Sequence, residues 1–372
     1  MKNTFGSSIA VTIFGESHGE EIGVVIDGLS PGIPVDREFI NAQLALRRPA
    51  GKISTARQEQ DEYRIVSGVF EDRTTGTPLC ICIPNTQTRS KDYAATRALA
   101  RPGHADYTAN TKYHGFEDYR GGGHFSGRIT AGLVAGGAIA LTALREKGIV
   151  LGTHIARCGG VNDRIFGDLE ADIAALQKMQ FAVLDESAGV TMRECIEKAA
   201  AEGDSVGGVL ETAVLGMPAG VGEPWFDTLE GLLAHALFSI PGIKGVQFGA
   251  GFGGADLRGS AYNDPFRMKD GKVVTTTNRN GGINGGISNG MPIQFRCAVK
   301  PTPSIYKEQK TVDIHRKENA DLQIEGRHDP AIIHRARVVV DSVTALVLCD
   351  ALATHFGTDY FTTPLRTSCF AD

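Results

Sequence analysis

The sequence predicts a single α+β domain that spans residues 1–372. Apolar stretches with helical spacing are interspersed with short stretches of strand character, but without the regular rhythm that predicts a doubly wound parallel sheet. No internal repeat, low-complexity linker or run of like charge divides the chain. We therefore expect extended sheets packed on buried apolar helices.

The composition is that of an ordinary soluble globular protein, with 42% hydrophobic and 22% charged residues and a formal net charge of −5. This balance argues against a binder of nucleic acid or membrane surfaces, which needs a basic face. The 7 cysteines include no CxxC pair, which favours reduced cytosolic thiols and disfavours a zinc site or any other metal centre. The N-terminus lacks the pattern of a signal peptide, and we expect a cytoplasmic protein.

The elements of the N-terminal half are predicted from alternation, spacing and caps. Asp36 is placed to cap a helix that runs to Arg48. Residues 85–128 are polar and punctuated by glycine, and a long irregular segment of this kind is usually functional. Ile129–Lys147 is predicted to be a buried helix, because its apolar run is shorter than the roughly 20 residues of a membrane span. Strands are predicted at Val11–Phe14, Ile22–Asp27, Tyr63–Phe70 and Pro78–Ile83, the last two joined by Thr75-Gly76.

The C-terminal half continues the mixed pattern. Arg335–Phe356 is predicted to be a long apolar helix that stops at Gly357. Asp270-Gly271 is typical of a hairpin turn, and Gly281–Gly290 is expected to form a loop. Further helices are predicted at Asp168–Gln180, Thr191–Gly203 and Thr228–Phe238, and strands at Val150–Ala156, Gly207–Leu215, Gly245–Phe248 and Pro292–Val299.

Three histidines lie beside glycine or proline, where a turn fixes the side chain. They occur in Gly15-Glu-Ser-His18-Gly19, in Arg101-Pro-Gly-His104-Ala-Asp106 and in Gly326-Arg-His328-Asp-Pro330. Imidazole is the side chain best suited to proton transfer near neutral pH. Taken singly, each histidine is better explained by a structural role; taken together, they indicate parts of one site.

Arginines and glycine-rich turns indicate that the ligand of this site is an anion. The turn Arg120-Gly-Gly-Gly-His-Phe-Ser-Gly-Arg128 precedes a predicted helix, whose free N–H groups and dipole suit an anion. Residues 281–290, followed by Lys300-Pro-Thr-Pro-Ser304, would offer amides, an ammonium and hydroxyls to a phosphate-bearing cofactor. The alternatives are flexible turns for the glycines and a solvated surface for the arginines.

Residues Gly249–Gly254 fit the pattern GxGxxG of dinucleotide-binding turns. That function requires a helix after the glycines and an acidic residue about 20 positions further on. Ala255-Asp-Leu-Arg-Gly259 follows instead, without a helical pattern. We therefore expect a turn or a close packing point rather than a dinucleotide site.

Over nearly its whole length the chain resembles the chorismate synthase family, most weakly at about residues 157–202. The matching segments, in the family's order, are Phe14-Gly-Glu-Ser-His-Gly19, Arg47-Arg-Pro49, Ser67-Gly-Val-Phe-Glu71, Thr74-Thr-Gly-Thr-Pro78, Arg89-Ser-Lys-Asp-Tyr93, Arg101–Thr108, Arg120-Gly-Gly-Gly123, Gly285-Gly-Ile-Ser-Asn-Gly290, Lys300–Ser304 and Gly326–Pro330.

The resemblance implies conversion of 5-enolpyruvylshikimate 3-phosphate to chorismate and phosphate, a step of the shikimate pathway of aromatic amino-acid biosynthesis. The reaction is a 1,4-anti elimination that needs reduced FMN (FMNH2) without net redox change. The resemblance also implies a homotetramer, with two β-sheets around a layer of helices in each protomer. NADPH is expected only as an indirect reductant, through an external flavin reductase.

The resemblance also assigns roles to residues. It implies that His104 donates a proton near the flavin, that His18 protonates the leaving phosphate and that Asp329 assists proton removal. Substrate anions are expected to bind Ser17, Arg47, Arg48, Arg101, Arg128 and Arg327. FMN is expected to contact His124, Phe125, Ser126, Gly285, Lys300, Pro301, Thr302, Pro303, Ser304 and Arg327.

The sequence departs from the family's usual pattern at two places. His124-Phe125 stands where Arg-Ser is usual after the triple glycine, so charge on the flavin side depends on protonation of His124. Ala331 stands where a cysteine commonly follows His-Asp-Pro, and we expect little effect there.

Two alternatives belong to other classes of protein. An FMN-dependent oxidoreductase of another family would transfer electrons to its substrate, whereas the elimination consumes no reductant per turnover. A non-catalytic anion-binding protein would need the arginines but not the histidines, so replacing His18 and His104 by alanine would leave it functional.

Overall fold

Two five-stranded antiparallel sheets face each other across a layer of helices. The computed structural model describes residues 2–49, 51–54, 61–86, 97–324 and 328–362. The arrangement confirms the α+β class and the sandwich of sheets around helices that the resemblance implies.

The strands and helices are numbered in chain order over the described residues. The strands are β1 Thr4–Phe5, β2 Ala10–Gly15, β3 Glu21–Asp27, β4 Arg64–Ser67, β5 Val69–Phe70, β6 Arg73–Thr74, β7 Leu79–Pro84, β8 Val150–Cys158, β9 Val161–Asn162, β10 Gly208–Leu215, β11 Ile243–Phe248, β12 Phe266–Lys269, β13 Lys272–Thr275, β14 Ile283–Asn284, β15 Ile287–Ser288, β16 Ile293–Val299, β17 Gln309–Asp313 and β18 Glu318–Leu322. The helices are α1 Arg37–Arg47, α2 Asp106–Tyr113, α3 Thr130–Glu146, α4 Leu169–Leu176, α5 Glu186–Ala201, α6 Leu229–Leu237, α7 Gly259–Tyr262 and α8 Ile333–Phe356.

The first sheet has the strand order β1-β2-β3-β7-β4, and the second has the order β11-β16-β10-β8-β9. Alternate residues of β3, such as Ile22, Val24 and Ile26, are fully buried against α3. Helix α8 packs on β8 and β10 of the second sheet, and α3 and α8 pack on each other. The core therefore extends from one sheet through two buried helices to the other.

Close approach of α3 and α8 explains why α3 has glycine at position 137. A Cβ built on Gly137 would lie 2.3 Å from Cβ and 2.7 Å from Cα of Ser342 in α8. The segment Gly127–Glu146 is long and apolar enough to cross a membrane, but 83% of its most apolar window is buried inside the protein. This is the environment of a core helix.

Most predicted elements are confirmed, with boundary shifts. Asp36 caps α1 by accepting a hydrogen bond from Phe39 N at 2.9 Å. The Asp270-Gly271 turn joins β12 to β13. Helix α5 begins before the predicted Thr191, because Asp185 accepts from Ser187 N and caps a turn that sequence spacing alone did not reveal.

Three predictions are corrected by the structure. Residues 85–128 are not irregular throughout, since α2 lies within them. Helix α2 was missed because it has almost no apolar face, and Ala109 is its one buried residue. The predicted strand Tyr63–Phe70 breaks at Gly68, whose φ is 86°, and the hairpin β5–β6 intervenes before β7. The loop Gly281–Gly290 contains the hairpin β14–β15.

Candidate active site

A cavity of about 860 Å³ brings together segments that are far apart in sequence. Its wall includes residues 47–49 at the end of α1, 103–105 before α2, 121 and 124–128 before α3, 238–244 around the start of β11, and 300–304 after β16. The predicted site residues on this wall are Arg47, Arg48, His104, His124, Phe125, Ser126, Arg128, Lys300, Pro301, Thr302, Pro303, Ser304 and Asp329.

Other predicted residues lie elsewhere. Ser17, His18 and Arg101 are behind the wall, in contact with its residues or their neighbours. Gly285 lies in the β14–β15 turn and is not on the cavity wall of this chain. Arg327 lies outside the described residues. His328, which the sequence singled out, packs its ring 5.9 Å from that of Tyr306 and does not line the cavity.

The triple glycine separates two of the histidines. Gly121 and Gly122 have φ of 58° and 83°, a conformation that glycine adopts without strain. A Cβ on Gly121 would lie 2.2 Å from Cε1 of His18, and one on Gly122 would lie 3.1 Å from Cε1 of His104. Only backbone without side chains fits between the two imidazoles.

His104 belongs to a charged triad with Arg101 and Asp106. Asp106 Oδ1 lies 2.7 Å from His104 Nδ1 and 2.7 Å from Arg101 NH2, and Asp106 Oδ2 accepts from Arg101 Nε at 2.7 Å. Burial opposes ionisation of Asp106, but the hydrogen bonds from Arg101 and His104 outweigh it and hold its pKa well below the usual range. The ionised carboxylate therefore accepts a hydrogen bond from Nδ1–H of His104, which leaves Nε2 as the second ring nitrogen.

His18 is buried beside Ser17, and its Nδ1 lies 3.1 Å from Ser17 Oγ. The same hydroxyl lies 3.1 Å from the carbonyl oxygen of Gly121, which is on the cavity wall. Asp118 lies nearby, and its pKa is lowered by its hydrogen bonds with Arg120 despite partial burial, with a smaller contribution from His18. His18 is thus one glycine away from the cavity.

Two arginines of the wall share a buried carboxylate that the sequence analysis missed. Asp61 Oδ2 accepts from Arg47 NH1 at 3.3 Å, and Asp61 Oδ1 accepts from Arg128 NH1. Arg47 also donates from Nε to Thr130 Oγ1 at 3.0 Å and from NH2 to the carbonyl oxygen of Gly127 at 2.9 Å. Arg47 and Arg128 are therefore held within the protein, facing the cavity.

Asp329 is oriented by Arg335, a second residue that sequence reasoning missed. Arg335 NH1 donates to Asp329 Oδ2, and Arg335 Nε donates to the carbonyl oxygen of Arg47 at 2.8 Å. Both side chains line the cavity. Neither Asp61 nor Arg335 lies in a glycine or proline turn, which was the signal that the sequence offered for the other site residues.

The turn Lys300–Ser304 presents a hydroxyl and an ammonium group at the cavity wall. Thr302 Oγ1 is buried and has no hydrogen-bond partner among the described residues. Lys300 Nζ donates to the carbonyl oxygen of Gly103, and burial together with repulsion by Lys244 lowers the pKa of Lys300. Lys244, a third residue not predicted, adds positive charge to the same wall.

His124 and Phe125 line the cavity between these groups. His124 Nδ1 lies 2.8 Å from the carbonyl oxygen of Gly15 and donates to it, which leaves Nε2 as the second ring nitrogen. The ring of Phe125 packs edge-on against Tyr113 at 6.0 Å. Within the described ranges, no group of three or more His, Cys, Asp or Glu side chains could hold a metal ion.

Comparison with known proteins identifies similar sequences and structures. The family model described as chorismate synthase matches residues 9–353. A chorismate synthase of Dehalococcoides mccartyi is 47% identical over 353 residues, covering 94% of this chain and 96% of the relative. One of Thermococcus kodakarensis is 46% identical over 347 residues, covering 93% and 96%. A crystal structure of a chorismate synthase matches with a TM-score of 0.75 and 28% identity, covering 95% and 94% of the two chains.

Proposed function

The chain belongs to the chorismate synthase family and is a carbon–oxygen lyase acting on phosphates, and from this premise we propose how its residues carry out the reaction. The substrate is 5-enolpyruvylshikimate 3-phosphate, and the products are chorismate and phosphate. A C–O bond breaks with its electron pair leaving on phosphate, a C–H proton is lost, and the C–H electrons enter the new double-bond system. The observation that carries the proposal is the convergence of His104, Asp329 and the arginines on one cavity.

The substrate carries two carboxylates and a phosphate, which explains the cationic wall. Arg48 and Arg128 lie on it, and guanidinium groups bind carboxylate and phosphate through paired N–H donors. Arg47 contributes charge from a buried position. Ser17, Arg101 and Arg327 complete the set that we propose for substrate binding.

Reduced FMN, when bound, supplies electron density for departure of the allylic phosphate and a basic position for the C–H proton. As proton donor, His104 carries a proton on both ring nitrogens: Nδ1–H donates to Asp106, and the Nε2 proton is the one that is given up. Asp329, anchored by Arg335, provides a carboxylate that assists removal of the C–H proton. His18, behind Gly121, protonates the leaving phosphate.

The residues fit a flavin phosphate and ring. The unpartnered Thr302 hydroxyl and the ammonium groups of Lys244 and Lys300 suit a phosphate, and Ser126 and His124 add polar contacts on the same wall. We propose Phe125, Pro301, Pro303, Ser304, Gly285 and Arg327 as further FMN contacts. We propose that NADPH serves only as an indirect reductant, through an external flavin reductase.

We also propose a cytoplasmic homotetramer. Trp225 and Phe226 are 86% and 97% exposed, and Phe252 is similarly exposed, which suits burial against other copies of the chain. The remoteness of Gly285 from this chain's cavity wall would then be explained if the turn faces a neighbouring subunit's cavity. Each described cysteine is a free thiol, as in a reducing compartment.

An anaerobic turnover experiment tests the function. Purified protein is mixed with photoreduced FMN and 5-enolpyruvylshikimate 3-phosphate, and chorismate, phosphate and flavin absorbance are followed. We expect equimolar chorismate and phosphate over many turnovers while the flavin stays reduced. Flavin oxidation in proportion to product would instead support the FMN-dependent oxidoreductase.

A further inference from the structure

We propose that Asp61 is a positioning residue: its carboxylate holds the guanidinium groups of Arg47 and Arg128 in place on the cavity wall and keeps stray anions from binding between them. The inference rests on the proposed function, in which these arginines bind the substrate. It adds a residue that neither touches substrate nor donates a proton, but sets the geometry of those that do.

The geometry is that of a shared, buried counter-ion. Each carboxylate oxygen of Asp61 accepts a hydrogen bond from a different arginine: Oδ2 from Arg47 at 3.3 Å, and Oδ1 from Arg128. The Asp61 side chain is 1% exposed, and both arginine side chains are 6% exposed. All three residues line the cavity.

Because the three side chains are buried, the electrostatic interactions among them are strong. Two guanidinium groups side by side repel strongly where water is scarce, and a buried carboxylate is costly unless it is paired. Together the three groups carry a net charge of +1 and satisfy one another. Without the carboxylate, the repulsion between the two guanidinium groups would be less offset.

The backbone at Asp61 is also specialised. Its φ is 49°, in the left-handed region that most residues with a side chain avoid and that Asn and Asp adopt most readily. The side chain lies between two arginines that are 14 and 67 positions away in sequence. The local conformation is thus compatible with Asn as well as Asp.

Through its two arginines, Asp61 is also linked to a polar network that reaches the backbone around His18 on one side and Asp329 on the other. Arg128 Nε donates to Asn85 Oδ1 at 3.0 Å, and Asn85 Nδ2 donates to the carbonyl oxygens of Glu16 and Gly19, on either side of His18. In the other direction, the carbonyl oxygen of Arg47 accepts from Arg335, which holds Asp329.

The test is Asp61→Asn, which removes the charge while keeping the size and the preferred backbone conformation. We expect kcat to fall about tenfold or more, because the arginines lose their fixed geometry. We expect the Kd for inorganic phosphate, measured by calorimetry on flavin-free protein, to decrease about threefold or more, because the wall gains positive charge. A variant that was merely destabilised would weaken both properties.

The matched control is Asp72→Asn. Asp72 also has a left-handed φ, 51°, and accepts from Arg37 Nε at 3.0 Å, but it is exposed and does not line the cavity. We expect wild-type kcat and phosphate affinity from it. Wild-type values for Asp61→Asn, or a parallel loss of kcat and phosphate affinity, would overturn the proposal.

Asp61→Glu keeps the test decisive if Asp61→Asn does not fold. It retains the charge but displaces the carboxylate, so we expect a lower kcat with a phosphate Kd within about twofold of wild type. Wild-type kcat in Asp61→Glu would overturn the positioning role. The phosphate titration needs no turnover, so a wild-type protein that forms no chorismate would refute the proposed function without deciding the role of Asp61.

Discussion

Asp106 lies two residues after His104 and turns its carboxylate back to within 2.7 Å of His104 Nδ1. The bond depends on α2, because Asp106 is the first residue of that helix. Arg101 clamps the same carboxylate through two of its nitrogens, each at 2.7 Å. The short segment Arg101–Asp106 therefore builds a complete imidazole–carboxylate–guanidinium unit at the cavity.

Asp106→Asn is expected to reduce kcat about 10²-fold or more, the range over which a positioned acid–base group acts. An amide does not fix the Nδ1–H tautomer as a carboxylate does, so Nε2 would lose its defined protonation state. Steady-state turnover with reduced FMN measures the effect. Asp204→Asn, which removes a carboxylate paired with Lys307 at the surface, should leave kcat unchanged. Wild-type kcat in Asp106→Asn would show that the hydrogen bond is not needed.

His124→Arg is expected to lower the Kd for FMN, because it places a permanent guanidinium charge on the cavity wall at the position of an imidazole. Fluorescence titration with FMN at a single pH gives the measurement. His315→Arg, at an exposed position that does not line the cavity, should bind FMN as the wild type does. Unchanged FMN affinity in His124→Arg would contradict the role of His124.

His154 should stabilise the protein most at low pH. Burial opposes its protonation, but the hydrogen bonds with Asp163 at 2.8 Å and Glu211 at 3.0 Å outweigh burial and raise its pKa. Because the folded-state pKa lies above the unfolded value of about 6.5, the stabilisation is complete below pH 6.5 and is lost as the pH rises through the folded-state pKa.

The comparison for this effect is His154→Gln. We expect the gap in free energy of unfolding between wild type and His154→Gln to be largest near pH 6 and to shrink in alkaline buffer, as measured by urea unfolding. His315→Gln removes an exposed imidazole and should follow wild type at every pH. A gap that widened with rising pH would mean that His154 is buried in its neutral form.

How far the sequence predicts the structure depends on where the stabilising contacts are. Helices α1, α3 and α8 were predicted because caps or long apolar runs mark them locally. Helix α2 and the hairpin β17–β18 were not, because their residues are mostly polar and, among them, only Ala109 and Leu322 are fully buried. Periodicity carries no signal for such elements.

The same distinction applies to the site. Glycine and proline turns pointed to His18 and His104, and the structure brings both to the triple glycine. Asp61 had no such marker, since its partners Arg47 and Arg128 are 14 and 67 positions away in sequence. A carboxylate recruited by tertiary contacts cannot be distinguished by pattern from a solvated one.

Gly137→Ala is expected to destabilise the fold by about 1–3 kcal/mol, although alanine is the better helix former by about 1 kcal/mol. The propensity gain is outweighed because the new methyl would meet Cα of Ser342 at 2.7 Å, and the backbone of α8 is fixed between α3 and the second sheet. Gly136→Ala is the matched control in the same helix, since its methyl would meet the Cδ1 tip of Ile26, a flexible group, at 2.7 Å. Urea unfolding of the two variants should therefore rank Gly136→Ala as clearly the more stable. If Gly137→Ala instead matched or exceeded the wild type, α3 and α8 would have to be free to move apart, and the close helix contact would not be what requires glycine at this position.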